Sequence, residues 1–513
     1  MAHGAGSERT HPDLTTQLFL AKHPGQSANV TFTSGEKLFY AAFLAGFFVI
    51  FLWDWWWSSH CLYVAYSVYL AAIFFRLATV GLALFGLPSV VVRPERVLSF
   101  AREEWPHYTV LVPLYHEPEV VAKTVRHLDR LDYPRDKLEI LLLLEKDDDL
   151  TRNALSEVPL PPHFRVIDVP DTQPRTKPKA CNWGLRAARG EYLVIYDAED
   201  RPDPDQLKKA VTAFRTMPKQ VICLQAKLSF YNPEQNLLTR WFTMEYAAWF
   251  DLYLPGLYRL KLPIPLGGTS NHLRRRILEE IGGWDPFNVA EDCDLGIRLH
   301  RMGYRTAVLD TTTWEEANSR LRNWVRQRSR WVKGYLQTHL VHSRKPGRTL
   351  RDLGPVGVFS FLMSVGGHSL ILLVNPLFWV AAIAYLTMAG RELLAGRGTW
   401  EVLSRPLQES AWNALLSYSA NAPAGRYLTT IFYAVSAILF LANFLFIVIN
   451  LLGCIKRRLG GVFILVAIVS PLYWVLISLA AWKGFIQLLN RPHYWEKTDH
   501  GLFVEPDPAT VGK

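Results

Sequence analysis

The run Tyr192-Leu-Val-Ile-Tyr-Asp-Ala-Glu-Asp200 is an apolar stretch that ends abruptly in carboxylates. An apolar strand with acids at its carboxyl end is where an α/β sheet presents residues to a ligand. Asp197 and Glu199, two positions apart, are able to share one hard divalent cation through oxygen ligands while leaving coordination positions to substrate phosphates. The bare acidic triplet is also what a solvated turn looks like, and only the strand before it shifts the balance. Further along, Gly267-Gly-Thr-Ser-Asn271 reads as a small polar loop. It is followed by Gly282-Gly-Trp-Asp285 and then by Val289-Ala-Glu-Asp-Cys-Asp-Leu-Gly-Ile-Arg298. Asp292 falls at a loop-to-helix entry, where a carboxylate serves as general base on a hydroxyl. Taken alone, Glu291, Asp292 and Asp294 equally suit the electrostatics of a helix N-terminus. The stretch Ser319 to Lys333 has six basic residues and no acid, with Leu321, Trp324, Val325, Arg328 and Trp331 or Val332 at helical spacing. That pattern predicts an amphipathic helix at about 319–340 lying on a membrane surface. Its bland reading is a basic anchoring face, and membrane anchoring suits Trp324 better than Trp331.

These residues need a scaffold, and the rest of the chain supplies one. The 513 residues are 50% apolar and 20% charged, which excludes intrinsic disorder. The apolar residues are bunched rather than spread, as in a membrane protein with a soluble insert. Basic residues exceed acidic ones by 10 and accompany 18 tryptophans, a mixture suited to anionic headgroups, nucleotide phosphates and stacking surfaces. Cys61, Cys181, Cys223, Cys293 and Cys454 stand far apart with no CxxC pair, which argues against a zinc site or a disulfide framework.

Leu38–Trp57, broken only by Asp54, and Cys61–Leu87, whose one charge is Arg76, are each long enough to cross hydrocarbon as a helix. From Val90 to about Arg351 short β-rich runs (Tyr108–Leu114, Leu138–Leu144, Tyr192–Tyr196) alternate with helical patterns, predicting an α/β domain with a mainly parallel sheet. Apolar blocks return at Val356–Gly390, Leu428–Cys454 and Val462–Trp482. Asn375-Pro376 near the middle of the first block suggests two short crossings, or one crossing and an interfacial piece, for five or six helices in all. The expected organisation is therefore 1–37 as a cytoplasmic segment, 38–89 as two transmembrane helices and 90–351 as the catalytic domain. Residues 352–482 form a second helical group, and 483–513 a cytoplasmic tail. Six helices leave Lys456-Arg457-Arg458 on the outer side, against the positive-inside tendency.

Four segments in this order, Asp197-Ala-Glu199, Gly268-Thr-Ser-Asn271, Glu291-Asp292 and Gln327-Arg-Ser-Arg-Trp331, resemble the processive glycosyltransferases of family 2, the group of cellulose, curdlan and hyaluronan synthases. The likeness runs from about Tyr108 to His339 by motif and to the flanking helices by arrangement. Within the group it looks closest to bacterial cellulose-synthase-like exopolysaccharide enzymes and to the amino-terminal part of the phage N4 adsorption protein B type. The resemblance implies a GT-A-like cytoplasmic domain inserted in an α-helical transmembrane bundle, in the bacterial cytoplasmic membrane. It implies that Tyr115 and Glu117 of Val112-Pro-Leu-Tyr-His-Glu117, and Glu145 with Asp147 or Asp148, hold the base and ribose of a nucleotide. Lys177 and Asn182 then lie near that nucleotide. Asp197 and Glu199 take the metal positions, where a Glu replaces the family's second Asp and Asp200 is a rival. Asp292, next to Glu291, matches the catalytic base. Gln327 and Arg330 match the residues that hold the diphosphate, while Trp331, Gly268 and Thr269 fall on the acceptor side. The segment His493-Tyr-Trp-Glu-Lys-Thr-Asp-His-Gly501 resembles one that returns to the active-site mouth, where Lys497 and Thr498 touch the diphosphate; a plain juxtamembrane tail is the alternative.

The expectation is an inverting hexosyltransferase that uses a UDP- or GDP-hexose with Mg²⁺ or Mn²⁺ and extends and exports a β-linked polysaccharide. Its partners are then the nucleotide sugar, the growing polymer, the bilayer and envelope export components, with no nucleic acid. Single transfer to a lipid carrier is the alternative, and an inactive receptor or assembly component a more distant one.

Overall fold

The computed structural model describes residues 12–53, 55–85, 89–98, 100–396, 398, 444–499, 501 and 503. The first eleven residues of the expected 1–37 segment lie outside the described residues. So do Asp54, His500, the first part of the Leu428–Cys454 block and most of the tail beyond Gly501.

Eight strands form one sheet in the order β3-β2-β1-β4-β7-β6-β8-β5. They are β1 (Tyr108–Leu114), β2 (Leu138–Glu145), β3 (Phe164–Val169), β4 (Tyr192–Ile195), β5 (Arg201–Pro202), β6 (Val221–Phe230), β7 (Asn271–Arg274) and β8 (Arg305–Glu315). β1, β2, β3 and β4 run parallel, as do β6 and β8; β7 is antiparallel to β4 and β6, and β5 to β8. The leucine-rich run of β2 is covered on both faces, which is why it reads as unbroken apolar sequence rather than as alternation. Its residues divide between two cores. Leu141 and Leu143 join Leu111, Leu193 and Trp241 on one face, while Ile140, Leu142 and Leu144 join Val110, Val194 and Phe214 on the other.

The first of these cores continues into Trp324 of the helix Leu321–Ser343 and into Tyr473, Ile477 and Ala480 of the helix Ser470–Asn490. These two helices lie side by side. Gly484 has no side chain to keep them apart: a Cβ there would sit 2.4 Å from the Ser329 carbonyl oxygen. Gly334 does the same on another side, where a Cβ would come within 2.5 Å of the Ala290 amide nitrogen. The long helix is thereby pressed against the loop that precedes Asp292. The amphipathic helix is present at Leu321–Ser343, and Trp324, Arg328 and Val332 of its expected stripe are buried, against protein. Trp324 is fully buried, with its ring 5.2 Å from that of Tyr473, so it does not anchor the helix in headgroups.

Residues ahead of the helix Ser34–Trp53 pack on the α/β domain. Asp13 caps the helix Leu14–Lys22 through the Thr16 amide, 2.8 Å, and also accepts from the Thr172 hydroxyl. Ser27 Oγ and the Ala28 amide donate to Asp285 at 2.9 and 2.6 Å. Arg344 donates to the carbonyls of Gly25 and Ser27 and to that of Val30.

Helices Ser34–Trp53 and Trp55–Leu84 follow this segment. By length and composition, two helices among the described residues are able to cross a membrane, Pro346–Pro376 and Ser470–Asn490, with Val68–Leu84 and Phe444–Lys456 as shorter apolar helices. The first C-terminal block is not broken at Asn375-Pro376, which the helix Gly367–Leu394 carries inside it. Its interruptions come earlier, at Gly354 with φ 68° and at a π-helical turn over Leu362–Gly366. The block expected at Val462–Trp482 divides into Val462–Ile468 and Ser470–Asn490.

Candidate active site

A cavity of about 640 Å³ opens at the carboxyl ends of β1, β2 and β4. Asp197, Glu199, Glu291 and Asp292 all line it, with Lys177 among them. The Lys177 ammonium pairs with the Asp197 carboxylate and donates to the Gly268 carbonyl at 2.8 Å. Burial works against that charge, but Asp197 and Glu291 outweigh it and hold the ammonium protonated. Gly268 faces the same group: a side chain there would begin 3.7 Å from Asp292 Oδ2 and 3.9 Å from Lys177 Nζ. Both acids of the pair open the helix Glu291–Arg301. Burial pushes Asp292 above the ordinary carboxylate range, and burial together with the Asp292 charge pushes Glu291 up as well.

Asp200 does not line the cavity. It is fully buried, and its Oδ2 accepts from the Asp197 amide at 2.8 Å and from the Thr269 hydroxyl. Thr269 also donates to the Ile195 carbonyl at 3.0 Å, so Asp200 and Thr269 tie the acidic turn to the Gly268 loop. Of the two rivals for a second cation ligand, Glu199 is the one with access. Among the described residues no cluster of three or more His, Cys, Asp or Glu side chains is able to enclose a metal. Asp197 and Glu199 suit a hard cation that takes its remaining ligands from phosphate oxygens.

At the β1–β2 end, Tyr115, Glu117 and Glu145 line the cavity. Glu145 is raised to about 7 by burial, against the pull of the Lys179 ammonium at 3.0 Å. Asp147 pairs with Arg175 at 2.9 Å, and Arg175 in turn lines the cavity with Tyr115. Asp148 has another task. It is fully buried, caps the helix Asp149–Ser156 through the Thr151 amide and accepts from the His116 amide at 2.5 Å, fixing the turn that presents Tyr115 and Glu117. Asn182 likewise turns away from the cavity. Its amide donates to the Trp284 carbonyl at 2.8 Å and accepts from the Trp284 amide at 2.9 Å, clamping the Gly283-Trp284 turn.

The long helix brings Gln327, Arg330 and Trp331 to the cavity. Gln327 accepts from Asn318 at 2.9 Å. The Arg330 guanidinium faces the acidic group from beneath the segment after the last helix. It donates to the Glu496 carbonyl at 2.7 Å and to Thr498 Oγ1 at 3.1 Å, with Trp495 stacked 4.7 Å away. Lys497 donates to the His116 carbonyl and lies 4.0 Å from Glu117. Glu316 holds the same segment by accepting from the Gly501 and Phe503 amides, each at 2.7 Å. The segment thus spans from Glu117 to Arg330. Trp331 lies nearly parallel to Tyr246, at 25°, and the Arg328 guanidinium rests 4.6 Å from its ring.

Two further groups carry no motif. Arg328 forms a two-pronged pair with Glu245, 2.7 and 2.5 Å, and donates to Tyr473 at 2.9 Å, so one buried ion pair joins the catalytic domain to the helix Ser470–Asn490. Glu315, at the end of β8, lines the cavity with Oε1 buried and without a hydrogen-bond partner. Burial, followed by the charges of Asp200, Glu199 and Asp197, raises it well above the carboxylate range. Its one signal in the sequence is the acid pair Glu315-Glu316 at the end of a threonine-rich strand.

Residues 106–334 match the model of a family described as glycosyltransferase like family 2. That stretch of the chain, which takes in the sheet and the acidic group, is thus similar to that family. The chain is 29% identical over 235 residues to the probable glycosyltransferase YdaM of Bacillus subtilis, covering 45% of this chain and 56% of the relative. It is 25% identical to the probable glucomannan 4-beta-mannosyltransferase 10 of Arabidopsis thaliana, covering 54% and 52%. To the beta-monoglucosyldiacylglycerol synthase of Trichormus variabilis it is 26% identical, covering 52% and 57%. The chain thus spans about half the length of these relatives. Among solved structures, the mannosyltransferase PcManGT of Pyrobaculum calidifontis, in complex with GDP-Man and Mn²⁺, is 19% identical with a TM-score of 0.46 over 84% of this chain and 98% of that one.

Proposed function

We propose that the protein transfers a hexose, with inversion, from a UDP- or GDP-sugar to an acceptor hydroxyl held between the acidic group and Trp331. The observation that carries this reading is the extent of the cavity. One continuous space is lined by Asp197, Glu199, Asp292 and Arg330 and also by side chains of the helices Trp55–Leu84, Gly367–Leu394 and Ser470–Asn490. A donor site that opens into a helical group suits a product handed towards the membrane, and a β-linked polysaccharide is the first product to test. The roles follow from the chemistry. Asp292, raised by burial, takes the proton of the attacking hydroxyl. Arg330 and Lys177 oppose the charge that grows on the departing diphosphate. Asp197 and Glu199 hold Mg²⁺ or Mn²⁺, which adds Lewis-acid stabilisation of that diphosphate when bound. Tyr115, Glu117 and Glu145 receive the nucleoside, Gln327, Lys497 and Thr498 the diphosphate, and Gly268 and Trp331 the acceptor.

The relatives' printed names include a polysaccharide mannosyltransferase and a glycolipid synthase, so single transfer to a lipid remains the second reading. The proposed location is the bacterial cytoplasmic membrane, with the catalytic domain inside and envelope components receiving the product. The test is to incubate purified protein with a panel of UDP- and GDP-hexoses and Mn²⁺ while following nucleoside diphosphate release and product size. Release with one sugar, abolished by EDTA, is the expected result. Chains of several hexoses favour the polymer and one hexose per lipid the second reading. No release from any sugar nucleotide overturns both.

A further inference from the structure

Arg76 is the single charge in the apolar stretch Cys61–Leu87, and the transfer chemistry leaves it without a task. Its guanidinium lies among three aromatic rings, 4.8 Å from Tyr253, 5.4 Å from Phe446 and 5.7 Å from Trp249. Among the described residues no carboxylate comes within ion-pair distance of it, and its Nε is buried with no hydrogen-bond partner. Arg76 lines the same cavity as Asp292 and Trp331. The carboxylate of Glu245 is already taken by both prongs of Arg328. The other polar groups of the described helices Leu362–Gly366, Gly367–Leu394 and Phe444–Lys456 that line the cavity, Ser364, His368, Ser369, Asn375 and Asn450, include no acid. Among the described residues, this half of the cavity therefore holds two guanidinium groups, Arg76 and Arg328, against the one carboxylate of Glu245. A lone charge in such surroundings is costly and marks a place where a ligand supplies the counter-ion.

We propose that Arg76 binds a phosphate group, and that its source is the headgroup of a lipid. A guanidinium offers paired N–H donors that fit phosphate oxygens. The aromatic and apolar walls fit hydrocarbon better than they fit a hydrated ion. A ladder of side chains connects this point to the transfer site: Tyr246, Trp249 and Tyr253 recur at helical spacing along one wall of the cavity, with Tyr246 against Trp331. From Tyr246 to Tyr253 is roughly 10 Å of helix. A lipid whose phosphate rests on Arg76 reaches Trp331 with a sugar attached to that phosphate, so the substrate class is an acceptor carried on a lipid phosphate. This assignment rests on the transfer reading for its purpose but not for its test.

The experiment compares the full-length protein with Arg76→Gln and Arg76→Lys. Each is reconstituted in phosphatidylcholine nanodiscs with and without phosphatidylglycerol, and bound lipid is counted by native mass spectrometry. Nucleoside diphosphate affinity is measured separately in the same samples. The expected result is preferential retention of phosphatidylglycerol by the wild type, lost at least about tenfold in Arg76→Gln and largely kept in Arg76→Lys, with nucleoside diphosphate affinity the same in all three. Equal retention by the wild type and Arg76→Gln, or no preference over phosphatidylcholine in the wild type, overturns the site. If inorganic phosphate raises the melting temperature of the wild type but not of Arg76→Gln, and phosphatidylglycerol is ignored, the lipid source is wrong and a free phosphate takes its place. Should Arg76→Gln not fold, loss of phosphatidylglycerol from a folded Arg76→Lys overturns charge recognition and its retention upholds it. None of these outcomes depends on turnover, so failure of the transfer reading would show in donor cleavage alone.

Discussion

Asp292 is half-buried and Asp200 fully buried, and the structure gives these two acids opposite surroundings. Asp292 faces the cavity beside Gly268, whereas Asp200 is closed in by Thr269 and the Asp197 amide. Asp292→Asn should therefore lower turnover by about 10²–10⁴-fold while leaving nucleoside diphosphate affinity nearly unchanged, because the amide keeps the shape but takes no proton. Turnover within a factor of ten of wild type would remove Asp292 from the role of base. The pH profile checks the same point. Burial raises Asp292, so the base becomes protonated, and kcat/KM falls, at a pH above the ordinary carboxylate range as the solution is acidified. Asp200→Ala should instead destabilise the fold by about 1–3 kcal/mol, through the Asp197 amide left unpaired, while the Thr269 hydroxyl keeps the Ile195 carbonyl. Glu199→Ala should leave stability alone and raise the Mn²⁺ concentration needed for half-maximal activity. If the metal requirement follows Asp200 rather than Glu199, the ligand assignment moves by one residue.

The helix Leu321–Ser343 is the element on which the site depends, and its burial explains which part of it was legible. The spacing of Leu321, Trp324, Val325 and Arg328 announces a helix with a preferred face. What covers that face comes from Glu245 and Tyr473, far away in the chain, so the buried ion pair at Arg328 has no local signature. Asn182, Asp148 and Asp200 illustrate the reverse case. A motif marks them as polar residues near a ligand, but local geometry spends their hydrogen bonds on backbone and loop groups, and no pattern of residue types records that choice. Breaking the Arg328 pair by Arg328→Met should cost about 1–3 kcal/mol, with part of the loss restored by adding Glu245→Leu, since the single change leaves a half-buried carboxylate with only the Tyr473 hydroxyl. Thermal unfolding of the two variants in detergent measures this. Trp331 packs on the same element without joining the pair's hydrogen bonds. Trp331→Ala should cut product yield sharply while nucleoside diphosphate affinity persists; normal yield would defeat its role as an acceptor platform.

At the scale of the whole molecule, the alternation of β-rich runs with helical patterns foretold the central parallel strands, and β1 begins and ends where its sequence pattern does. The short antiparallel β7 was not foretold, because four residues carry too little periodicity to read. The arrangement of apolar helices was legible only as a list of stretches. Arg457 adds a restraint that composition lacks. It pairs with Asp251 and donates to Ser229 at 3.0 Å and to the Leu228 carbonyl at 2.7 Å, so the Lys456-Arg457-Arg458 turn rests on the catalytic domain. This turn should accordingly lie on the same side of the membrane as the active site, as its charge favours. A single cysteine at Arg458, in a cysteine-free background, should react with a membrane-impermeant maleimide in inside-out vesicles and not in intact cells. Labelling of intact cells would place the turn outside.

The amino-terminal strap sets an order of events during synthesis. Ser27 and Ala28 bond to Asp285, 258 and 257 positions later, and Ser27 meets Arg344 317 positions later. Two apolar helices, Ser34–Trp53 and Trp55–Leu84, leave the ribosome in between. At translation speeds of about 5–20 residues per second Ser27 and Ala28 wait roughly 10–50 s for Asp285, although Asp13 meets Thr172 sooner. Throughout that interval its donors are open to water, to chaperones and to proteases, and the catalytic domain closes only after the helix carrying Arg330 has been made. Newly made chains that stop short of Arg344 should therefore be cut within residues 12–33 by a protease that spares the finished protein.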